Sequence, residues 1–204
     1  MRPRYGADNS SLRSSEPLYR PVVTRSAVGT IRQQLQEAYE AIRERVDGLT
    51  DDEFFWEPVA RCWTVRRGDD GRWTVDYPEP PHPDPAPFTT IGWRLVHVAE
   101  CKVMYHEYAF GPAKLTFPEI DSAHTAAAAI AQLEAGQAML VRDLDGLDDA
   151  GLEREVLTNW GDKWPARKIF WRWSTTTCIT AARSERSATS IASGRVEEGP
   201  LACL

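Results

Sequence analysis

A regular pattern of apolar and polar positions runs from Thr89 to Gly111 and predicts one long helix. Large side chains recur at helical spacing around one histidine, His97, and therefore share its face: Trp93, Cys101, Met104 and Tyr108. Thr89 provides a start signal and Gly111 a stop signal. We expect this face to be buried. A histidine there needs a partner for each ring nitrogen, either a hydrogen-bonding group or a metal ion.

Three further segments have helical periodicity. From Ser26, apolar residues at spacings of three and four predict an amphipathic first helix that ends at Gly48. Asp121 or Ser122 can cap a third long helix through residues 124–147, and Pro165 suits the first turn of a fourth. This set predicts an all-α four-helix bundle whose fourth helix is truncated or disrupted, because the apolar pattern fails after Trp173.

Between the first two long helices the periodicity is lost. Thr50 and Glu53 predict a capping box and a short helical turn. Residues 57–88 then contain seven prolines and a Gly-Asp-Asp-Gly turn at 68–71, flanked by the short alternating runs CWTV and RWTVDY. They predict a small hairpin followed by a proline-rich crossing, in which we expect His82 to be exposed.

Composition narrows the class of protein. The 204 residues suit one domain with tails: a flexible basic tail over 1–25, a helical domain over 26–173, and a serine- and threonine-rich segment over 174–204 without a persuasive apolar period. The net charge of −6 argues against a nucleic-acid binder. Four scattered cysteines form no CxxC pair, and no apolar run approaches the roughly 18 residues of a membrane span. We expect a soluble cytoplasmic protein.

Several segments, in order, resemble a known family: DDEFFWEPV, WTVDYPEPP, PFTTIGWRLVHVAECKVMYHEYAFGP, HTAAAAIAQLE and TNWGDKWPARKIFW. Together they resemble the DinB-like family of actinobacterial four-helix bundles, related to metal-containing thiol-dependent transferases and to mycothiol-dependent maleylpyruvate isomerases. The resemblance covers roughly residues 26–171 and implies the bundle fold.

The resemblance also implies chemistry. Family members hold a divalent metal, zinc or nickel, with one histidine on the second long helix and two on the fourth, in a run like HHDLHHG. His97 matches the first ligand, but no histidine follows His124. Such a metal lowers the pKa of a bound thiol or water, so the implied substrate is a low-molecular-weight thiol. With His97 alone, we expect no tightly bound metal. A homodimer is one expected assembly, whereas nucleic acid and membrane are not expected partners.

A reading-frame shift explains the missing ligands. GC-rich codons can be chosen for the family continuation MVHHDLHHGGEIGALRDL so that reading them one base later gives WSTTTCITAARSERSAT. Those residues stand at Trp173 to Thr189. We therefore hypothesise a shift, in the gene or its sequencing, between about Phe170 and Trp173, which places the lost ligands at Thr176 and Thr180.

Other polar residues have simpler interpretations. Glu100, three positions after His97, can act as a ligand or support the site from behind it, or can be an exposed or structurally paired carboxylate. His106 is about 180° around an ideal helix from His97, so we expect it to be exposed. His124 lies near a helix start, where a capping or surface role is favoured. Three functions remain open: a damaged metal-dependent S-transferase-like or isomerase-like enzyme, a non-catalytic ligand-binding or stress-associated bundle, and a structural dimer-forming bundle.

Resequencing the region that encodes residues 165–190 tests the frame-shift hypothesis. We expect a one-base difference before the Trp173 codon, after which the reading frame continues as a histidine-rich helix. An intact single frame through these codons, with no shifted reading that resembles the family, contradicts the hypothesis.

Overall fold

The structure is a computed structural model that describes residues 26–77, 83–84 and 87–173. The predictions for residues 1–25, for His82 and for residues 174–204, including Thr176 and Thr180, lie outside this range. The described chain is mostly helical, with two short hairpins, which confirms the predicted all-α class.

The elements follow one another in a simple order. The helices are α1 (Ala27–Arg45), α2 (Asp51–Phe55), α3 (Ile91–Ala109), α4 (Ala126–Asp145) and α5, which begins at residue 166 and is helical to residue 173. The strands are β1 (Val65–Arg67), β2 (Trp73–Val75), β3 (Glu155–Leu157) and β4 (Lys163–Pro165), and single 3-10 turns occupy Phe117–Glu119 and Gly151–Glu153.

Hydroxyl side chains begin the long helices. Ser26 caps α1, and the predicted capping box at Thr50 is confirmed. The cap of α3 is Thr90, one residue after the predicted start, and its hydroxyl accepts a hydrogen bond from the Trp93 amide at 3.0 Å. Each such cap satisfies an amide that has no partner within the helix.

The predicted cap of α4 at Asp121 or Ser122 is wrong. The cap is Thr125, whose hydroxyl accepts from the Ala128 amide at 3.1 Å. The Ser122 hydroxyl instead donates to the buried carboxylate of Glu100. A buried carboxylate without a donor costs free energy. The Ser122 hydroxyl supplies that donor to Glu100 and therefore does not cap α4.

Helix α3 is the central element. It packs most extensively against α4, and it also contacts α2, the first hairpin and β3. The α4 start is tied to α2 because the Asp51 carboxylate accepts from the Ala126 amide at 2.8 Å. The core contains side chains from all of the long helices: Leu35, Ile42, Phe54, Val96, Ala99, Leu133, Leu140, Leu144, Ile169 and Phe170.

The first hairpin is confirmed and a second was missed. Strand β1 pairs antiparallel with β2, so that Val65 faces Val75. Strands β3 and β4 also pair, with Val156 opposite Trp164, a hairpin that the sequence did not predict. Pro165 is the last residue of β4, not part of the helical first turn, and α5 begins one residue later. Strands of three residues are too short to show a period of two.

None of the helices in the described ranges combines the length and apolar character that crossing a bilayer requires.

Gly92 marks the closest approach of α3 to α2. A methyl group added there would lie 2.6 Å from Phe54 Cε1 and 2.7 Å from the Phe54 carbonyl oxygen. We predict that Gly92→Ala lowers the free energy of unfolding by about 1–3 kcal/mol, because the backbone must shift to relieve the overlap. Urea denaturation followed by circular dichroism measures it.

Gly146→Ala is the matched control, since its added methyl group would come no closer than 3.4 Å to a neighbouring atom. Its unfolding midpoint is expected to stay near that of the parent chain. Equal midpoints for the two variants would rule out the close approach.

Candidate functional site

One ridge of α3 carries the candidate site. His97, Cys101 and Tyr105 follow one another at intervals of four residues, which places them on neighbouring turns of one helix face. We call these three residues the α3 ridge. His97 and Cys101 are partly exposed and Tyr105 is buried, so the ridge runs from the helix surface toward the core.

Aromatic rings surround the imidazole of His97. The Trp93 ring stacks on it with centroids 4.6 Å apart, and the Tyr77 ring lies at 5.5 Å. Trp63 in turn contacts Trp93 at 5.6 Å. Burial lowers the pKa of His97 to about 4, because desolvation disfavours the charged ring. The imidazole is therefore neutral at physiological pH.

The first hairpin holds these rings in place. The Trp93 indole N–H donates to the Asp76 carbonyl at 2.7 Å, next to Tyr77 in the chain. The Asp76 carboxylate accepts from the Thr64 amide at 2.9 Å, and the Thr90 hydroxyl donates to the Thr64 hydroxyl at 3.0 Å. The hairpin is thus fastened to the start of α3, one turn before His97.

The prediction that the His97 face is buried is correct only in part. Trp93 and Met104 are buried, whereas His97, Cys101 and Tyr108 are partly exposed. The completely buried positions of α3 include Val96 and Ala99. Helix α3 makes its most extensive contact with α4, and that contact does not enclose the His97 side of the helix. On that side, Tyr77, which follows the first hairpin, packs on the imidazole ring.

Cys101 lies beside His97 on the next turn of α3. Its Sγ lies 3.6 Å from Nε2 and 3.9 Å from Nδ1. Beyond it, the Tyr105 ring meets the Trp160 and Trp173 rings edge to face, and burial raises the pKa of Tyr105 to about 12. The sequence placed Cys101 on this face without a role and missed Tyr77 and Tyr105. The four-residue spacing could have indicated Tyr105.

The other candidate residues lie apart from the ridge. His106 Nδ1 pairs with the Asp143 carboxylate of α4 at 2.8 Å and is partly buried, so the prediction that it is exposed is wrong. The His124 ring is exposed and stacks on Trp73 at 4.7 Å, a surface role as predicted.

Glu100 faces a different neighbour from His97. Its carboxylate is buried and accepts from the Ser122 hydroxyl at 2.5 Å. Burial raises the pKa of Glu100 to about 7, against the opposing effect of the Ser122 hydrogen bond. Its hydrogen bonding is therefore that of a structurally paired carboxylate, one of the interpretations left open from the sequence.

These positions do not fit a three-histidine metal centre. The three described histidines have three separate sets of neighbours: aromatic rings and Cys101 for His97, Asp143 for His106, and Trp73 for His124. Over residues 26–77, 83–84 and 87–173, no three histidine, cysteine or acidic side chains converge on a point where they could hold an ion.

The fold and this ridge define a helical-bundle protein with a histidine on its central helix. The sequence model of the DinB superfamily matches residues 34–175, well over half of the chain, and the chain belongs to that superfamily. Comparisons with curated proteins and with solved structures find no match.

A buried lysine lies on the side of α3 that faces α4. Lys102 is 1% exposed, its Nζ donates to the Gln137 amide oxygen at 2.6 Å, and it lies 5.7 Å from the Tyr39 ring centroid. Burial lowers the pKa of Lys102 to about 7, since desolvation disfavours the ammonium form. The sequence pattern did not indicate that this lysine would be buried.

Lys102 makes stability depend on pH. An unfolded lysine keeps its proton up to about pH 10.4, whereas folded Lys102 loses it near 7. Between these values the unfolded state binds more protons, so the free energy of unfolding rises with pH. We predict that Lys102→Met removes this rise, worth up to about 4 kcal/mol between pH 7 and 10. Urea titrations from pH 7 to 10 measure it.

Lys114→Met is the control, because Lys114 is exposed. Its stability is expected to follow that of the parent chain at every pH. Parallel curves for the parent chain and Lys102→Met would contradict the assignment.

Proposed function

We propose that this chain is a catalytically incomplete member of the DinB superfamily, related to metal-dependent enzymes that transfer or isomerise thiol adducts. The observation that supports it most directly is that His106 and His124 each contact a partner other than His97. His97 stands at the family's ligand position, while His106 is held by Asp143 and His124 by Trp73. Neither can turn toward His97 without losing its partner.

The sequence beyond the described residues supports the same proposal. No histidine follows His124, so the fourth-helix pair that the family uses is absent from the chain as written. The frame-shift hypothesis places those two ligands at Thr176 and Thr180. Threonine hydroxyls are weak ligands for zinc and nickel, which are bound in proteins mainly by imidazole, thiolate and carboxylate.

Metal content measured after dialysis against a chelator tests the proposal. The chain as written is compared with a variant in which the frame is shifted back before Trp173, so that HHDLHHG follows. We expect the restored chain to retain a stoichiometric divalent ion, which His97→Ala removes. The chain as written is expected to retain none.

The result that would overturn the proposal is stoichiometric zinc or nickel retained by the chain as written and lost on His97→Ala. A restored chain that folds but retains no ion would also contradict it. Circular dichroism on each variant shows whether the helices are intact.

A second candidate function, a ligand-binding bundle, is favoured by the aromatic surroundings of His97. Tyr77 is 47% exposed although its ring contacts Trp63, Trp93 and His97. Exposed aromatic rings of this kind commonly bind planar or apolar ligands. A ligand-induced rise in melting temperature that Tyr77→Ala abolishes distinguishes this function from a structural dimer, whose melting depends on protein concentration.

A further inference from the structure

The polar pair on the α3 ridge stands close enough to share one ion. Cys101 Sγ lies 3.6 Å from His97 Nε2. In a tetrahedral zinc site, Zn–S bonds of about 2.3 Å and Zn–N bonds of about 2.0–2.1 Å place sulfur and nitrogen about 3.5 Å apart. The separation of these two atoms thus matches one edge of such a tetrahedron.

The helix fixes this separation. Residues four apart lie on adjacent turns of one face, the spacing with which two histidines on a helix bind zinc in HExxH proteins. Both side chains are on α3, which is held on several sides by α2, α4 and the hairpins. Both are also partly exposed, so an ion can reach them from solvent.

The imidazole needs one adjustment. Sγ is 3.9 Å from Nδ1 as well as 3.6 Å from Nε2, so the sulfur lies beside the ring and not along one nitrogen lone pair. A rotation about the Cβ–Cγ bond turns the Nε2 lone pair toward the shared position. The wells for this torsion are broad in histidine, so the main cost of the rotation is the stacking of the ring on Trp93 and Tyr77, which the bonds to the ion must offset.

We propose that His97 and Cys101 form a two-residue nitrogen–sulfur site for Zn²⁺ in the chain as written. The thiol proton leaves to solvent as the Zn–S bond forms. Thiolate and imidazole together favour zinc over magnesium or calcium, which prefer oxygen ligands. Two positions of the tetrahedron remain for water or for the same pair of a second chain.

This site is independent of the proposed function. Two protein ligands hold zinc less tightly than three or four, so the ion is expected at equilibrium with added metal and is lost on dialysis against a chelator. The missing fourth-helix histidines have no part in it.

The test uses the full 204-residue chain with Cys101 as its single thiol, obtained by the substitutions C62S, C178S and C203S. Titration with Cd²⁺, a spectroscopic substitute for Zn²⁺, is followed by the thiolate-to-metal charge-transfer absorption in the ultraviolet. We expect a band that saturates and that added Zn²⁺ abolishes in competition. Saturation at one ion per chain or per two chains supports the pair as the ligand unit.

Two variants show whether both residues bind. In the single-thiol chain, His97→Asn is expected to weaken the apparent affinity more than about tenfold, since losing even a supporting partner of a ligand costs that much. Cys101→Ser is expected to remove the band. Circular dichroism confirms that each variant remains helical.

The control retains Cys62 as the single thiol. Cys62 is 1% exposed, and its Sγ donates to the Val59 carbonyl at 3.1 Å, so no saturable band is expected. Alkylation provides a second readout: Zn²⁺ should slow iodoacetamide labelling of Cys101, and His97→Asn should abolish that protection. A band or protection that persists at full strength in a helical His97→Asn variant would overturn the proposal, as would no band in the Cys101 chain.

Discussion

Helix α3 must pack closely against several neighbours at once, and small residues make this possible. Ala99 and Val96 are fully buried. A methyl group added at Gly136 of α4 would lie 3.0 Å from Lys102 Cβ and 3.2 Å from the Ala99 carbonyl oxygen. Gly92 provides the corresponding space beside Phe54 of α2. Because interiors are packed to nearly crystalline density, these approaches fix the rotation of α3 and therefore the direction in which the α3 ridge points.

Polar groups accompany this packing at defined places. Lys102 and Glu100 are both about 1% exposed, and each is hydrogen-bonded to α4 or to the segment before it, through Gln137 and Ser122. A buried polar group is tolerated when it has a partner and costly when it does not. His106, paired with Asp143, adds a third polar contact between α3 and α4. The helix pair is thereby specified by polar contacts as well as by shape.

Much of the fold could be predicted from the sequence, because long helices carry many periods of their pattern. The starts of α1 and α3 were placed within a residue of their caps, Ser26 and Thr90. The cap of α4 was misplaced because Ser122 is engaged by Glu100, a contact 22 residues away that no local pattern encodes. The β3–β4 hairpin was missed because three-residue strands carry too little periodicity.

The candidate site was predictable to a lesser degree. His97 stood out as a histidine among apolar residues, and the spacing to Cys101 was visible in the sequence. The contact of Tyr77 with His97 joins residues separated by the proline-rich crossing, and it depends on how the hairpin docks on α3. His106 was expected to be exposed because it lies about 180° around the helix from His97. That angle does not show which residues of α4 pack against it, and Asp143 of α4 pairs with it.

The chain belongs to the DinB superfamily, and we propose that His97 and Cys101 of α3 together bind Zn²⁺. X-ray absorption spectroscopy on the zinc-loaded chain with Cys101 as its single thiol tests this most directly, because it reports the atoms bonded to the ion. We expect one sulfur at about 2.3 Å from the zinc ion, beside nitrogen or oxygen at about 2.0–2.1 Å. A first shell of nitrogen and oxygen alone, at saturating zinc, would contradict it.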